Sequence, residues 1–106
     1  MSKYTKDDLQ DLRKKIDVVD NKIMLNLKER FNLTHKVGLY KAKNNLSAFS
    51  KEREQEIYKA KRELSKKFNL DDVLVEKIFK SIIVVVRKEH AVIALKYKGI
   101  NNEKHK

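Results

Sequence analysis

The chain lacks cysteine, proline and tryptophan, and it has two glycines in 106 residues. Without cysteine, disulfide stapling and thiolate metal sites are excluded, which fits a reducing compartment. Without proline, and with so little glycine, there is almost no punctuation for hairpins or long loops. Few long elements are therefore expected. The longest apolar run, Ile82 to Val86, falls far short of the roughly 20 residues that span a bilayer. The N-terminus, MSKYTKDDLQDL, has no apolar segment of a secretory signal. The expected location is cytoplasmic, with no membrane partner.

Charge is abundant instead. Lysine and arginine number 26 against 15 acidic residues, a formal net charge of +11. Such an excess suits an anionic partner, and nucleic acid is the first candidate by charge alone. Neither aromatic stacking residues nor helix-turn-helix spacing accompany the cations. The last eleven residues hold four lysines against one glutamate, so part of the excess is tail. The bland alternative is a solvated lysine-rich surface.

Between Leu12 and Lys41, apolar residues recur at Leu12, Ile16, Val19, Ile23, Leu27 and Phe31. Steps of three and four mark one stripe of a helix. The pattern predicts a helix of about 36 residues, roughly 54 Å long, capped by Asp7 or Asp8 after a loose arm of residues 1–6. Gly38 lies inside it, read either as room for a close helix or as space for a ligand beside Lys41. A short connection follows, and Ser50 stands at an N-cap position before a second helix carrying Ile57, Ala60, Leu64 and Phe68. Asp71-Asp72 start a third helix with Val75, Ile78, Phe79, Ile82, Val86 and Val92 or Ile93 on its apolar side. Its IIVVV run is β-branched but has no partner strand. Gly99 is expected to end it. The predicted class is all-α: one domain over residues 1–106, with a helical core of about 7–98 and a polar tail over 99–106. Two shorter helices leave part of so long a stripe wet, which invites a second copy of the chain.

Three cations on the long helix sit at informative angles. At 100° per residue, Arg30 and Lys41 return to within about 20° of one face, roughly 16 Å apart, while Arg13 lies about 100° away from Arg30. Arg30 also falls where the apolar stepping calls for a core residue, and a buried guanidinium needs an anion. Arg53-Glu54 opens the second helix. Converging cations suit a small dicarboxylate, which guanidinium grips through paired hydrogen bonds. Salt bridges from Arg30 and Arg53 to carboxylates such as Asp20 and Glu54 are the structural alternative. No metal-ligand spacing, Gly-rich phosphate loop or Ser–His pair stands out. Chemistry here would rest on positioning and fixed charge.

The stretches LRKKIDVVDNKIMLNLKER, VGLYK, KEREQEI and IFKSII, taken together, resemble the all-helical chorismate mutases of the AroQ class, over about residues 9 to 93. The resemblance implies an intertwined homodimer that rearranges chorismate to prephenate without a cofactor, toward phenylalanine and tyrosine. It also implies roles. Arg13 would reach a substrate carboxylate in the other subunit's site, and Arg30 would hold a carboxylate in its own. Lys41 would donate to the ether oxygen. Arg53 would help fix the substrate, and Glu54 would accept from its hydroxyl.

Three positions depart from the family's common pattern. Ser50 replaces a frequent aspartate and reads first as a cap. Val86 replaces a frequent serine and forfeits a hydrogen bond. His90 stands where glutamine or glutamate usually supplies the second donor to the ether oxygen, so catalysis should vary with imidazole protonation. Glu89, one residue off this register, should face away from the site. Isochorismate pyruvate lyase shares the scaffold and is the nearest rival, an aminated chorismate analogue is a further variant, and a non-catalytic basic dimer is a different class of reading. Glu54 favours the mutase, since a carboxylate suits the hydroxyl of chorismate.

Overall fold

The computed structural model describes residues 5–104, and for 101–104 the backbone alone. Three helices follow one another: α1 (Lys6–Lys43), α2 (Lys51–Lys67) and α3 (Asp72–Lys104). No strand occurs among the described residues, and the fold class is all-α. The β-branched Ile82–Val86 run is helical, as the absence of a pairing strand required.

Local hydrogen bonds explain the starts of all three helices and the ends of α1 and α2. At the start of α1 the cap is Thr5, not Asp7 or Asp8. Thr5 Oγ1 accepts from Asp8 N at 3.2 Å, and the Asp8 carboxylate accepts from Thr5 N at 2.7 Å. This is a capping box with aspartate in the returning position. Lys6 therefore belongs to the helix, while residues 1–4 of the expected arm lie outside the described residues. Ser50 caps α2 as expected, its hydroxyl accepting from Arg53 N at 3.2 Å. Asp71 caps α3 by accepting from Val73 N and Leu74 N at 2.9 and 3.1 Å.

Neither α1 nor α2 stops on glycine. Asn45 and Asn69 both adopt φ 54°, the left-handed conformation that asparagine tolerates better than most side chains. Beyond each, a leucine N–H reaches back to close the last turn: Leu46 N to Lys41 O and Leu70 N to Ser65 O, at 2.8 and 2.9 Å. These are Schellman closures with asparagine in place of glycine. Gly99 does not end α3. It lies within the helix, which runs to Lys104, and no glycine has a positive φ. Glycine weakens a helix interior by about 1 kcal/mol but breaks no hydrogen bond of the ladder. The residues expected as tail are helical to 104, and 105–106 lie outside the described residues.

Packing divides the chain into two units, Met1–Leu33 and Thr34–Lys106. In the first, Leu12, Ile16, Val19 and Ile23 are 43–55% exposed, whereas Leu27 and Phe31 are half-buried. The apolar stripe of α1 is thus largely wet in the single chain. In the second, Ile82 and Ile83 are buried, each worth roughly 1.5–3 kcal/mol of transfer free energy. The covered side of α2 carries Ile57, Tyr58, Lys61 and the buried Ser65. Ala60, Leu64 and Phe68 are exposed, so the burial face is rotated from the expected one. Ser65 is accommodated because its hydroxyl donates to Lys61 O at 2.9 Å. The Lys61 ammonium lies 4.9 Å above the Phe79 ring.

Two measurements check this account of the ends. Asn69→Ala should destabilise the fold by about 1 kcal/mol in urea denaturation, while Asn69→Gly should be neutral or stabilising. The hydrogen bonds from the Thr5 backbone and then its side chain hold the Asp8 carboxyl below its ordinary value of 3.8. A carboxylate depressed in the folded state stabilises above its unfolded pKa, and that support is lost as pH falls through the folded one. Amide exchange in the first turn of α1 should accordingly speed up as pH falls below the ordinary carboxyl range, corrected for intrinsic rates, and Asp8→Ala should abolish the change.

Candidate active site

In the second unit, Gly38 of α1 meets His90 of α3. A Cβ placed on Gly38 would lie 2.7 Å from His90 Cδ2 and 2.9 Å from Ile93 Cδ1. Both distances are shorter than carbon atoms tolerate, so glycine is required for the ring to sit there. The room at Gly38 is filled by α3 side chains, which decides between its two sequence readings. His90 is 4% exposed, and its Nε2 lies 2.7 Å from Thr34 O. A carbonyl oxygen only accepts, so Nε2 carries the hydrogen and donates it. The Cδ2–Nε2 edge faces α1, which leaves Nδ1 on the far side of the ring. One residue earlier, Glu89 is half-buried and its carboxylate meets His35 Nδ1 at 3.2 Å. Two successive α3 side chains thus grip one turn of α1.

A second cluster joins the start of α2 to α3. The Arg87 guanidinium donates to both Glu54 oxygens, Nε to Oε2 at 3.3 Å and Nη2 to Oε1. It also lies 4.5 Å above the Phe49 ring. The Glu54 side chain is 17% exposed, so this carboxylate is largely withdrawn from water and paired. Its neighbour Arg53 is different. The Arg53 side chain is 66% exposed and meets Glu56 at 3.4 Å across one turn. In the single chain Arg53 therefore lies on the solvent side of α2, engaged with a carboxylate other than Glu54.

The remaining predicted residues are placed as follows. Lys41 is half-buried, three residues beyond Gly38 and so one turn further along the same side of α1. Val86 is half-buried one turn before His90, and Ser50 is half-buried at the α2 cap. In the first unit Arg13 is exposed and Arg30 half-buried. A cavity of about 650 Å³ lies elsewhere, lined by Ala42, Lys43, Ala48, Ala91, Ala94 and Tyr97 among others. None of the predicted site residues lines it. Among the described residues no group of histidines and carboxylates could hold a metal. No helix among the described residues is long and apolar enough to cross a membrane.

The sequence pattern of the family described as chorismate mutase type II matches residues 12–91. The chain belongs to this family. Over 75 residues it is 39% identical to a chorismate mutase of Methanocaldococcus jannaschii, covering 71% of this chain and 76% of that protein. Over 60 residues it is 40% identical to a bifunctional chorismate mutase/prephenate dehydratase of Aquifex aeolicus, covering 57% of this chain but 17% of that one. All eight site positions expected of a chorismate mutase, from Arg13 to His90, fall inside the matched span.

Beside those eight, sequence reasoning missed Arg87, Phe49 and the carbonyl of Thr34. Arg87 carried little signal, since it is one half-exposed cation in a basic chain and only its pairing with Glu54 marks it. The Thr34 carbonyl carried none, because every residue has one.

Gly38→Ala tests the close approach. The added methyl should lower stability by about 1–3 kcal/mol through overpacking. His90→Ala in the same chain should recover part of the loss. Denaturation midpoints of the two single variants and the double variant measure the coupling.

Proposed function

We propose that this chain converts chorismate to prephenate, one carbon–oxygen bond breaking as one carbon–carbon bond forms within a single molecule. The observation that carries the reading is membership of the chorismate mutase type II family across residues 12–91, with the motif's expected cations present at Arg13, Arg30, Lys41 and Arg53 and its glutamate at Glu54. The reaction moves no proton between enzyme and substrate, so it needs a bound conformer and stabilised charge, not an acid–base pair. Arg30 is assigned to a substrate carboxylate. Lys41 is assigned to the ether oxygen, where negative charge grows as the bond stretches. Glu54 accepts from the ring hydroxyl. Arg53 joins the substrate by leaving Glu56, an exposed pairing that costs little to break. Ser50 keeps its cap and has its hydroxyl hydrogen left for the ligand. Val86 offers shape alone.

His90 acquires a defined condition. Its Nε2–H is committed to Thr34 O, so a neutral ring presents a bare Nδ1 to any ligand on its far side. Donation to the ether oxygen then requires the imidazolium.

The exposed stripe of Leu12, Ile16, Val19 and Ile23 supports a homodimer in which a second copy covers it and Arg13 completes the partner's site. The protein works in this reading as a cytoplasmic enzyme acting on a small molecule.

Product identification by NMR after incubation with chorismate, and separately with isochorismate, tests the activity. Prephenate from the first is expected; turnover of neither discards the reading. Lys41→Ala should reduce kcat by about a hundred- to a thousandfold, as loss of one charge-stabilising donor does. Light scattering should give a mass of twice 12.6 kDa. Two inactive variants, Arg13→Ala and Lys41→Ala, should regain about a quarter of wild-type activity when unfolded together and refolded, because a mixed dimer has one intact site of two. No regain would place Arg13 in its own subunit's site.

A further inference from the structure

We infer that Arg87 is a positioning residue for the reaction: its guanidinium, braced on the Phe49 ring, holds the Glu54 carboxylate in the orientation that receives the substrate's hydroxyl. The role rests on the chorismate reading above, since it concerns what Glu54 does there.

The geometry has three linked parts. Arg87 donates to both oxygens of Glu54, and such a fork fixes the plane of a carboxylate as well as its position. The guanidinium itself is fixed from behind, its carbon 4.5 Å from the centre of the Phe49 ring. Phe49 is then held at the mouth of α2, where its N–H donates to Ser47 Oγ at 3.2 Å and the next residue is the Ser50 cap. A chain of contacts therefore runs from the 47–50 connection through Phe49 and Arg87 to Glu54.

The chemistry calls for such a brace. A glutamate has three rotatable bonds and keeps considerable freedom unless something holds it. A carboxylate oxygen has two lone-pair sites, so Glu54 can take one hydrogen bond from Arg87 and another from a hydroxyl on the same oxygen. Arg53, the adjacent cation, meets Glu56 instead. Arg87 is thus the cation recorded on Glu54. It also sits on α3 three residues before His90, so the brace springs from a position neighbouring one expected site residue on the helix surface.

The pairing is geometric and not only electrostatic, and this separates it from an ordinary surface salt bridge. Lysine at 87 would keep the charge but lose the fork and the stacking.

The test uses the full chain with chorismate and with an analogue whose ring hydroxyl is replaced by hydrogen. Arg87→Met should raise KM for chorismate about ten- to a hundredfold with a smaller change in kcat, the range seen when a supporting residue is lost. Arg87→Lys should recover only part of this, and Phe49→Leu should fall between wild type and Arg87→Met. In a Glu54→Gln background, or with the hydroxyl-free analogue, Arg87→Met should add no further effect. Unchanged circular dichroism and melting temperature would separate these effects from unfolding. A wild-type enzyme inactive on chorismate overturns the reading on which the role rests, and the role with it. An active wild type with Arg87→Met kinetically normal overturns the brace alone. An Arg87 effect that persists undiminished with Glu54→Gln or with the analogue overturns it too, and makes Arg87 a direct substrate contact.

Discussion

The seating of an imidazole against a bare backbone methylene sets the spacing of α1 and α3 in the second unit. Gly38 contributes nothing but the absence of a Cβ, and His90 and Ile93 occupy the space that absence leaves. Once the ring is there, its Nε2–H finds the Thr34 carbonyl one turn away, and Glu89 meets His35 on the same turn. Steric room and hydrogen bonding thus cooperate at one place. The position of Lys41, one turn beyond Gly38, is set by the same contact. A residue that sequence comparison suggests as a donor to substrate is also a keystone between two helices.

That double duty bears on how a histidine would serve, in the proposed reading, where an amide side chain is customary. Glutamine offers a flexible NH₂ with two donors, one of which can face a ligand while the other holds the protein. Neutral imidazole has a single donor, and here the backbone takes it. The exchange trades conformational freedom for rigidity and ties any further donation to protonation. The Glu54 end of the site follows the opposite plan, with one acceptor held by a forked cation and lone pairs to spare.

The helical architecture was readable from the sequence because period, caps and missing punctuation all agreed. Ser50 and Asp71 announced themselves as caps by residue type and place. Thr5 was hidden because two aspartates just inside the helix are equally good capping residues, and only the reciprocal bond between Thr5 and Asp8 decides. Gly99 misled because glycine often ends helices, yet it does so only where the chain turns left-handed, and that conformation was given to Asn45 and Asn69 instead. At the proposed site, Arg30 was visible as a charge at apolar register and Lys41 as a cation on the same face, while the role of Glu54 came from the family resemblance. Arg87 was not visible, since a lone arginine in a basic chain carries little information until its partner is known. The solvent-side position of Arg53 was likewise unreadable, because Glu54 and Glu56 are both within reach along the sequence.

The turn between α2 and α3 has a consequence for the order of folding. Its closure is made wholly from residues close in sequence: Leu70 N–H donates to the Ser65 carbonyl, and Val73 and Leu74 N–H both donate to the Asp71 carboxylate. A hairpin whose stop and restart are both encoded within about ten residues closes a very short loop, so little chain entropy opposes it. The His90–Thr34 contact joins residues 56 apart in sequence and must wait for a larger closure. The α2–α3 hairpin is therefore the natural nucleus, and docking of α1 onto it is the later and more easily reversed step.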